Sequence, residues 1–346
     1  MKVGIITFHW ATNYGAVLQA YALQEAVKSL GHEVEIINYK PRLYNDNLWT
    51  FIRFRKFLNF NKYKIDRSKE QLMESFRKLC LTSRTERYSS LSQLQKNVHD
   101  YDVLITGSDQ VLNPSFLQSG EWGGSTAYFL NFGGEKVRRL SYAASFGTTD
   151  YPELLIKKVK PLIERFHAVS ARENSGIEIF KAMGAKNPTV VCDPTLLQNA
   201  DFYDNIIDKE KSFPIKKRGY FLRNREKKIA DVLTRLDVSI FKDEFITDWI
   251  ASIKKSSHFI TNSFHGVVFC LLYHVPFTVV LETLENVEMN DRFYSLLTPL
   301  GLTHRMVLES GFSEKDIDFD EDWEQIDRKL ESYRRIGWNF LKNNIN

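Results

Sequence analysis

The chain has 346 residues, 43% hydrophobic and 26% charged, with a formal net charge of +4. That length exceeds one ordinary core and fits two domains, and the composition is that of a folded globular protein rather than a disordered or fibrous one. Cys80, Cys192 and Cys270 lie far apart without metal-ligand spacing, which argues for a reducing compartment and against a disulfide framework or a zinc site.

Residues 3–8 form a short β-rich run, and the turn Thr12-Asn13-Tyr14-Gly15 follows. Residues 16–30 repeat apolar positions at helical spacing, with Gly31 as the stop signal, and 34–38 read as a second strand. This βαβ opening is typical of a parallel sheet. Residues 48–64 break the rhythm with six aromatic and five basic side chains and no acid, and a polar helix is expected over about 68–79. Strands are expected at 102–106, 140–144, 168–170 and 189–192. They end in Gly107-Ser108-Asp109-Gln110, Ser145-Phe146-Gly147, Ala171-Arg172-Glu173 and Asp193-Pro194-Thr195.

A polar stretch over 199–214 reads as the boundary. The expected domains are 1–200 with the basic aromatic insertion at about 48–64, then 201–320. A C-terminal helix within 321–346 is expected to pack back on the first domain. Second-domain strands are expected at 219–222, 238–241, 258–261 and 277–281. Its helices are expected at 225–236, 247–254 and 265–273, and the last helix at 323–343. No apolar run reaches the roughly 18 residues of a membrane span. The opening apolar run is also too short for a secretory signal. A cytoplasmic protein is expected, with peripheral contact at the inner face of a membrane left open.

In both domains the unusual polar residues follow strands at their C-terminal ends, the edge where open α/β sheets bind ligands. Asn13, Asp109, Arg172, Asp193 and His265 all fall there. His265, in Ser263-Phe264-His265-Gly266, begins a helix whose first backbone N–H groups attract anions.

These segments carry a resemblance. Residues 12–23, Gly107-Ser108-Asp109-Gln110, residues 141–147, Ser170-Ala171-Arg172-Glu173, residues 192–197 and Thr261-Asn262-Ser263-Phe264-His265-Gly266 occur in the order seen in the polysaccharide pyruvyl transferase family. The chain resembles that family from residue 3 to about 281. The resemblance implies two Rossmann-like β/α domains facing across a cleft, similar to the GT-B glycosyltransferase architecture. It also implies transfer of the pyruvyl group of phosphoenolpyruvate to a sugar of a capsule, exopolysaccharide or cell-wall glycan precursor, giving a cyclic ketal and phosphate.

That chemistry calls for a proton donor, cationic clamps and a base. His265 is the expected acid/base, because an imidazole titrates near neutrality. Its plainer reading is a packed or capping histidine. Arg172 is the expected anion clamp through its planar fork, with a salt bridge to Glu173 or another acid as the alternative. Some relatives carry arginine directly before the histidine, where this chain has Phe264. Arg223, Arg225 and Arg292 are the candidates to supply that charge. Asp193 is expected at the catalytic centre. Asp109, Asn13, Tyr14, Gly15, Ser263 and Gly266 are expected to bind substrate, with turn or cap chemistry as their alternative.

No metal or resident cofactor is expected; phosphoenolpyruvate is the donor substrate and a saccharide the acceptor. The segment 48–64 suits an anionic membrane surface or a lipid-linked acceptor. Nucleic acid is not expected, since no nucleic-acid motif accompanies that segment. Two other readings stand beside this one: a nucleotide-sugar glycosyltransferase on the same architecture, and a non-catalytic glycan-binding protein.

Overall fold

The structure, a computed structural model, describes residues 1–41, 60–117, 125–208, 211–241, 245–283, 287–317 and 321–346, without the side chains of 60–66. The chain divides into two compact units, one of residues 1–194 with 337–346 and one of residues 195–336. Most of the 48–64 segment lies outside the described residues; its last residues, 60–64, belong to the helix Phe60–Cys80, which starts eight residues before the expected position.

In the first unit, β1 (Lys2–Ile6), β2 (Glu33–Ile36), β3 (Val103–Thr106), β4 (Arg138–Ala144), β5 (Ala168–Ala171) and β6 (Thr189–Val190) form one sheet in the order β2-β1-β3-β4-β5-β6. Every pairing is parallel, with Ile5 opposite Ile36 on one side and Ile105 on the other. The strands β1 and β3 are apolar almost throughout, as strands covered on both faces must be. The helix Tyr14–Ser29 buries Val17, Leu18, Leu23 and Val27 against this sheet unit's core, and Gly31 at φ +86 ends it. The chain terminus is tied to the same unit, where the Arg138 guanidinium donates to the carbonyls of Asn344, Ile345 and Asn346 at 3.2, 3.0 and 2.6 Å.

In the second unit, β7 (Lys216–Tyr220), β8 (Ser239–Ile240), β9 (Ser256–Thr261), β10 (Phe277–Leu281) and β11 (Met306–Leu308) form a parallel sheet in the order β11-β10-β9-β7-β8. Aromatic packing fills one layer: Trp249 meets Phe269 at 5.5 Å and Tyr203 meets Phe269 at 4.8 Å. The helix Asp291–Leu300 and the strand β11 have no counterpart in the sequence reading. The expected helix over 225–236 is a 3-10 segment, Leu222–Ile229, followed by the short helix Ala230–Arg235.

Both sheets share one strand order. The first strand of each unit, β1 or β7, lies between the second and the third. Connections therefore depart to opposite faces on either side of it, leaving a crevice beyond the strand ends. Asp109 and His265 follow the third strand of their units and Arg223 and Arg225 the first strand of the second, whereas Arg172 and Asp193 follow β5 and β6.

Candidate active site

In the first unit, β3 ends in Gly107-Ser108-Asp109. A Cβ on Gly107 would stand 2.3 Å from the backbone oxygen of Tyr142, so only glycine fits there. Asp109 follows at φ +68, a left-handed conformation that aspartate tolerates better than most residues. The buried Ser108 hydroxyl donates to the Ala143 carbonyl at 2.8 Å and to Asp193 Oδ2 at 3.1 Å. Gln19, from the first helix, accepts from the Ser108 amide at 3.0 Å and donates to Thr7 Oγ1 at 2.8 Å, which ties the exits of β1 and β3 together.

Arg172 follows β5 and is buried. Its Nη1 donates to Asp193 Oδ2 at 3.0 Å, Nε lies 3.6 Å from Glu173 Oε2 and Nη2 lies 3.8 Å from Asp109 Oδ1. Burial alone would lower the guanidinium pKa, but the carboxylates of Asp193, Glu173 and Asp109 outweigh it and raise the value above the ordinary one. The salt-bridge alternative for Arg172 is therefore present in the fold, in triplicate. One cation among three acids leaves this cluster formally at −2. Asp193 is sealed within it, while the Asp109 side chain keeps 19% of its surface exposed.

The β1 exit is held from outside the expected residues. The buried Arg77 donates from Nε to the His9 carbonyl at 2.6 Å and from Nη2 to the carbonyls of Trp10 and Ala11, each at 2.9 Å. His9 is packed rather than presented: it contacts Asn38 Oδ1 at 3.1 Å, and burial lowers its pKa to about 4. Asn13 caps the helix Tyr14–Ser29 by accepting from the Ala16 amide at 3.2 Å, and Tyr14 and Gly15 are buried within its first turn.

In the second unit, β9 delivers Asn262, Ser263 and His265. The Ser263 side chain caps the helix Phe264–Tyr273 by accepting from the Gly266 amide at 3.3 Å. Gly266 lets that helix lie against the strand, since a Cβ would meet Thr261 Oγ1 at 3.1 Å and Phe259 at 3.2 Å. His265 stands in the first helical turn, largely buried, with the Phe264 ring edge-on at 5.4 Å. No acid occupies this turn, so its dipole favours an anion.

Next to β9, the exit of β7 carries Arg223 and Arg225. Arg223 and Asn224 are both left-handed, at φ +61 and +53. The buried Asn262 pins this bend, accepting from the Leu222 amide at 2.7 Å and donating to the Leu222 carbonyl at 3.3 Å. On the other side of β9, the residue after β10 is Glu282, whose carboxylate receives Arg223 Nη2 on one oxygen and Arg225 Nη2 on the other, the latter at 3.2 Å. Arg292 opens the helix Asp291–Leu300 with its guanidinium 5.1 Å from the Phe293 ring, which lies 6.2 Å from that of Phe264.

The structure thus gathers Asp109, Arg172 and Asp193 in the first unit, and His265 with Arg223 and Arg225 at one sheet edge of the second. Glu173 is expected from the sequence only as the alternative partner of Arg172, and Ser108, Arg77, Asn262 and Glu282 are given no role by it. Asn262 lies inside a quoted motif, and Glu282 is an acid directly after a buried strand of four apolar residues and one threonine, a signal that was available. Among the described residues no group of three or more His, Cys, Asp or Glu side chains could hold a metal, and no helix is long and apolar enough to cross a membrane.

The family model for polysaccharide pyruvyl transferase matches residues 13–282. No curated protein matches the chain. Among solved structures, the chain is similar to a Listeria monocytogenes protein assigned as a UDP-N-acetylglucosamine 2-epimerase, with 10% identity over 99% of this chain and 94% of that one and a TM-score of 0.47. The S. aureus MnaA–UDP structure gives 12% identity over 99% and 92%, TM-score 0.47. A Glycyrrhiza uralensis protein solved with glycyrrhetinic acid 3-O-monoglucuronide gives 9% identity over 100% and 90%, TM-score 0.46.

Proposed function

The chain belongs to the polysaccharide pyruvyl transferase family, and from that premise we propose that it moves the pyruvyl group of phosphoenolpyruvate onto two hydroxyls of a saccharide precursor. The observation that carries this reading is the placement of His265 in a helix's first turn, with Arg223 and Arg225 at the exit of the neighbouring strand. An enol phosphate is a poor electrophile until its methylene carbon is protonated. His265 gives that proton, and the resulting cationic carbon accepts one sugar hydroxyl. Phosphate then leaves, and the second hydroxyl adds at the same carbon. Of the two hydroxyl protons lost, one ends on the new methyl group and the other on phosphate, with His265 accepting and returning protons between the steps.

The arginines offset the donor's negative charge, which grows on the leaving phosphate. The anionic cluster of the first unit suits the acceptor better than the donor. Asp109, its most exposed acid, is the group to receive a sugar hydroxyl, and Arg172 and Asp193 hold it in place. The reaction as written needs no resident metal or cofactor. A lipid-linked acceptor at an anionic membrane surface is the setting that the basic and aromatic residues of 48–64 favour.

The test is to incubate the protein with phosphoenolpyruvate and a panel of free, nucleotide-linked and lipid-linked sugars. Expected are one phosphate released per acceptor modified and a gain of one pyruvate less one water. Release of a nucleoside diphosphate from a nucleotide sugar instead would overturn the reading.

A further inference from the structure

We propose that Glu282 is a place-holding carboxylate in the donor's anion site, so that a phosphate- or carboxylate-bearing ligand enters by exchange with it. This rests on the transferase reading for the identity of the donor, but not for the existence of the site.

Four observations support it. The two oxygens of Glu282 are each held by a different arginine, Arg223 and Arg225, which is how a guanidinium pair grips a phosphate or carboxylate ligand. The three partners are unequally buried: the Arg223 side chain is 38% exposed, against 9% for Arg225 and 5% for Glu282. One wall of the site is therefore open to solvent and the other is fixed. The left-handed conformation of Arg223 is unfavourable for an arginine, and Asn262 holds the Arg223-Asn224 bend there; such conformations persist where the surroundings over-determine them, often in ligand clamps. Asn262 stands three residues before His265, so one turn of chain sets both the bend and the acid/base. Finally, Glu282 is anchored by its backbone, since its amide donates to Asn290 Oδ1 at 3.3 Å and its carbonyl accepts from Asn290 Nδ2 at 2.8 Å. Its side chain can turn aside without moving the strand.

Arg225 has a second acid, Glu309, whose Oε2 lies 3.9 Å away and whose Oε1 meets Lys228 at 3.1 Å. Once Glu282 swings away, Arg225 keeps a partner, and the incoming anion takes Arg223 together with the vacated side of Arg225. The exchange selects for ligands that bring at least the charge of the carboxylate they replace.

The experiment is titration calorimetry with inorganic phosphate, phosphoenolpyruvate and a nucleoside diphosphate, on the full chain and on the variants Glu282→Gln and Arg223→Gln. Removing the competing charge should tighten phosphate and phosphoenolpyruvate in Glu282→Gln by about tenfold, the worth of one hydrogen bond to a charged group. Arg223→Gln should weaken both by a similar factor, and its melting temperature should stay close to that of the parent, since Arg223 is partly exposed. Unchanged or weaker phosphate binding in Glu282→Gln at an unchanged melting temperature would overturn the proposal. If Glu282→Gln fails to fold, Glu282→Asp takes its place: the shorter acid should tighten phosphate, and weakening would overturn the exchange. Phosphate binding that follows these predictions, in a protein that never turns over phosphoenolpyruvate, would keep the site and remove the transferase reading. Preference for the nucleoside diphosphate would do the same.

Discussion

The two units carry polar groups beyond the C-terminal ends of their parallel strands and give them opposite character. Each has a first strand flanked by its second and third, but the first unit's ion cluster follows its third, fifth and sixth strands whereas the second unit's follows its first and fourth. In the first unit one guanidinium, Arg172, is enclosed by three carboxylates. In the second, one carboxylate, Glu282, is gripped by two guanidinia, and one of those reaches solvent. The difference lies in burial as much as in sign. A sealed ion pair has lost its water, so removing one partner strands a charge; a half-exposed one contributes little to stability and can be exchanged for a ligand. The strand-end edge carries a sealed, net-acidic cluster in the first unit and a partly exposed, net-basic one in the second.

The largest effect expected is at the reacting group. His265→Ala should lower kcat by about 10²–10⁴-fold, the usual share of general acid–base catalysis, and leave phosphate affinity unchanged by calorimetry. Full turnover in that variant would move the reaction centre away from the second unit. Next is the first unit's ion pair. Asp193→Asn strands part of the buried Arg172 charge and should cost about 3 kcal/mol in urea denaturation, with phosphate binding untouched. Arg172→Lys should likewise act on the denaturation midpoint. If it raises the donor KM at unchanged stability, the first unit is the anion site and the comparison inverts.

A comparable effect should appear with pH. His9 in the first unit is lowered to about 4 and His258 in the second to about 3, both chiefly by burial. A folded-state pKa below the unfolded value of 6.5 means the unfolded chain binds more protons between the two. Stability from these groups is therefore complete above pH 6.5 and is lost as pH falls through the window down to about 4 for His9 and about 3 for His258. For His9 the loss is about 3 kcal/mol. His9→Gln should make that fall shallower in denaturation midpoints measured from pH 7 to 4; an unchanged slope would remove His9 as a cause. The smallest effect is expected at the pin: Asn262→Ala should cost about 2 kcal/mol of stability, the worth of its two neutral hydrogen bonds to Leu222. Its mark should be a raised donor KM with a smaller change in kcat.

Much of the fold could be read where local pattern and tertiary need agree. The run 277–281 matches β10 to the residue because four of its five residues are apolar and all five are buried, and the helix after Asn13 is found within two residues because its cap and apolar face coincide. The region after β7 failed for the opposite reason. Ile229, Val232, Leu233 and Leu236 suggest one helix from Arg225, but Asn262, forty residues ahead of Leu222, pulls the backbone into two left-handed residues. A window along the sequence does not register that hydrogen bond. The edge strand β11, three residues long, offers too little pattern to detect. Strand ends are legible as candidate positions because an all-parallel sheet puts the C-terminal ends of its strands on one edge. What each residue does there depends on which strands are neighbours: Arg172 meets Asp193 through the β5–β6 pairing, and Arg223 meets Glu282 across β9. Neither partnership can be read from residue type alone, and Arg172 in particular is engaged with acids where charge alone suggested an anion.

The most direct measurement is ketal formation from phosphoenolpyruvate and an accepted sugar in deuterium oxide, followed by mass spectrometry and proton NMR of the product methyl group. Protonation of the enol carbon by a solvent-exchanging His265 should leave one deuterium in that methyl group and one phosphate released per ketal, with both formed about 10²–10⁴-fold more slowly by His265→Ala. A product methyl without solvent deuterium, or glycosyl transfer from a nucleotide sugar with no phosphoenolpyruvate consumed, would contradict it.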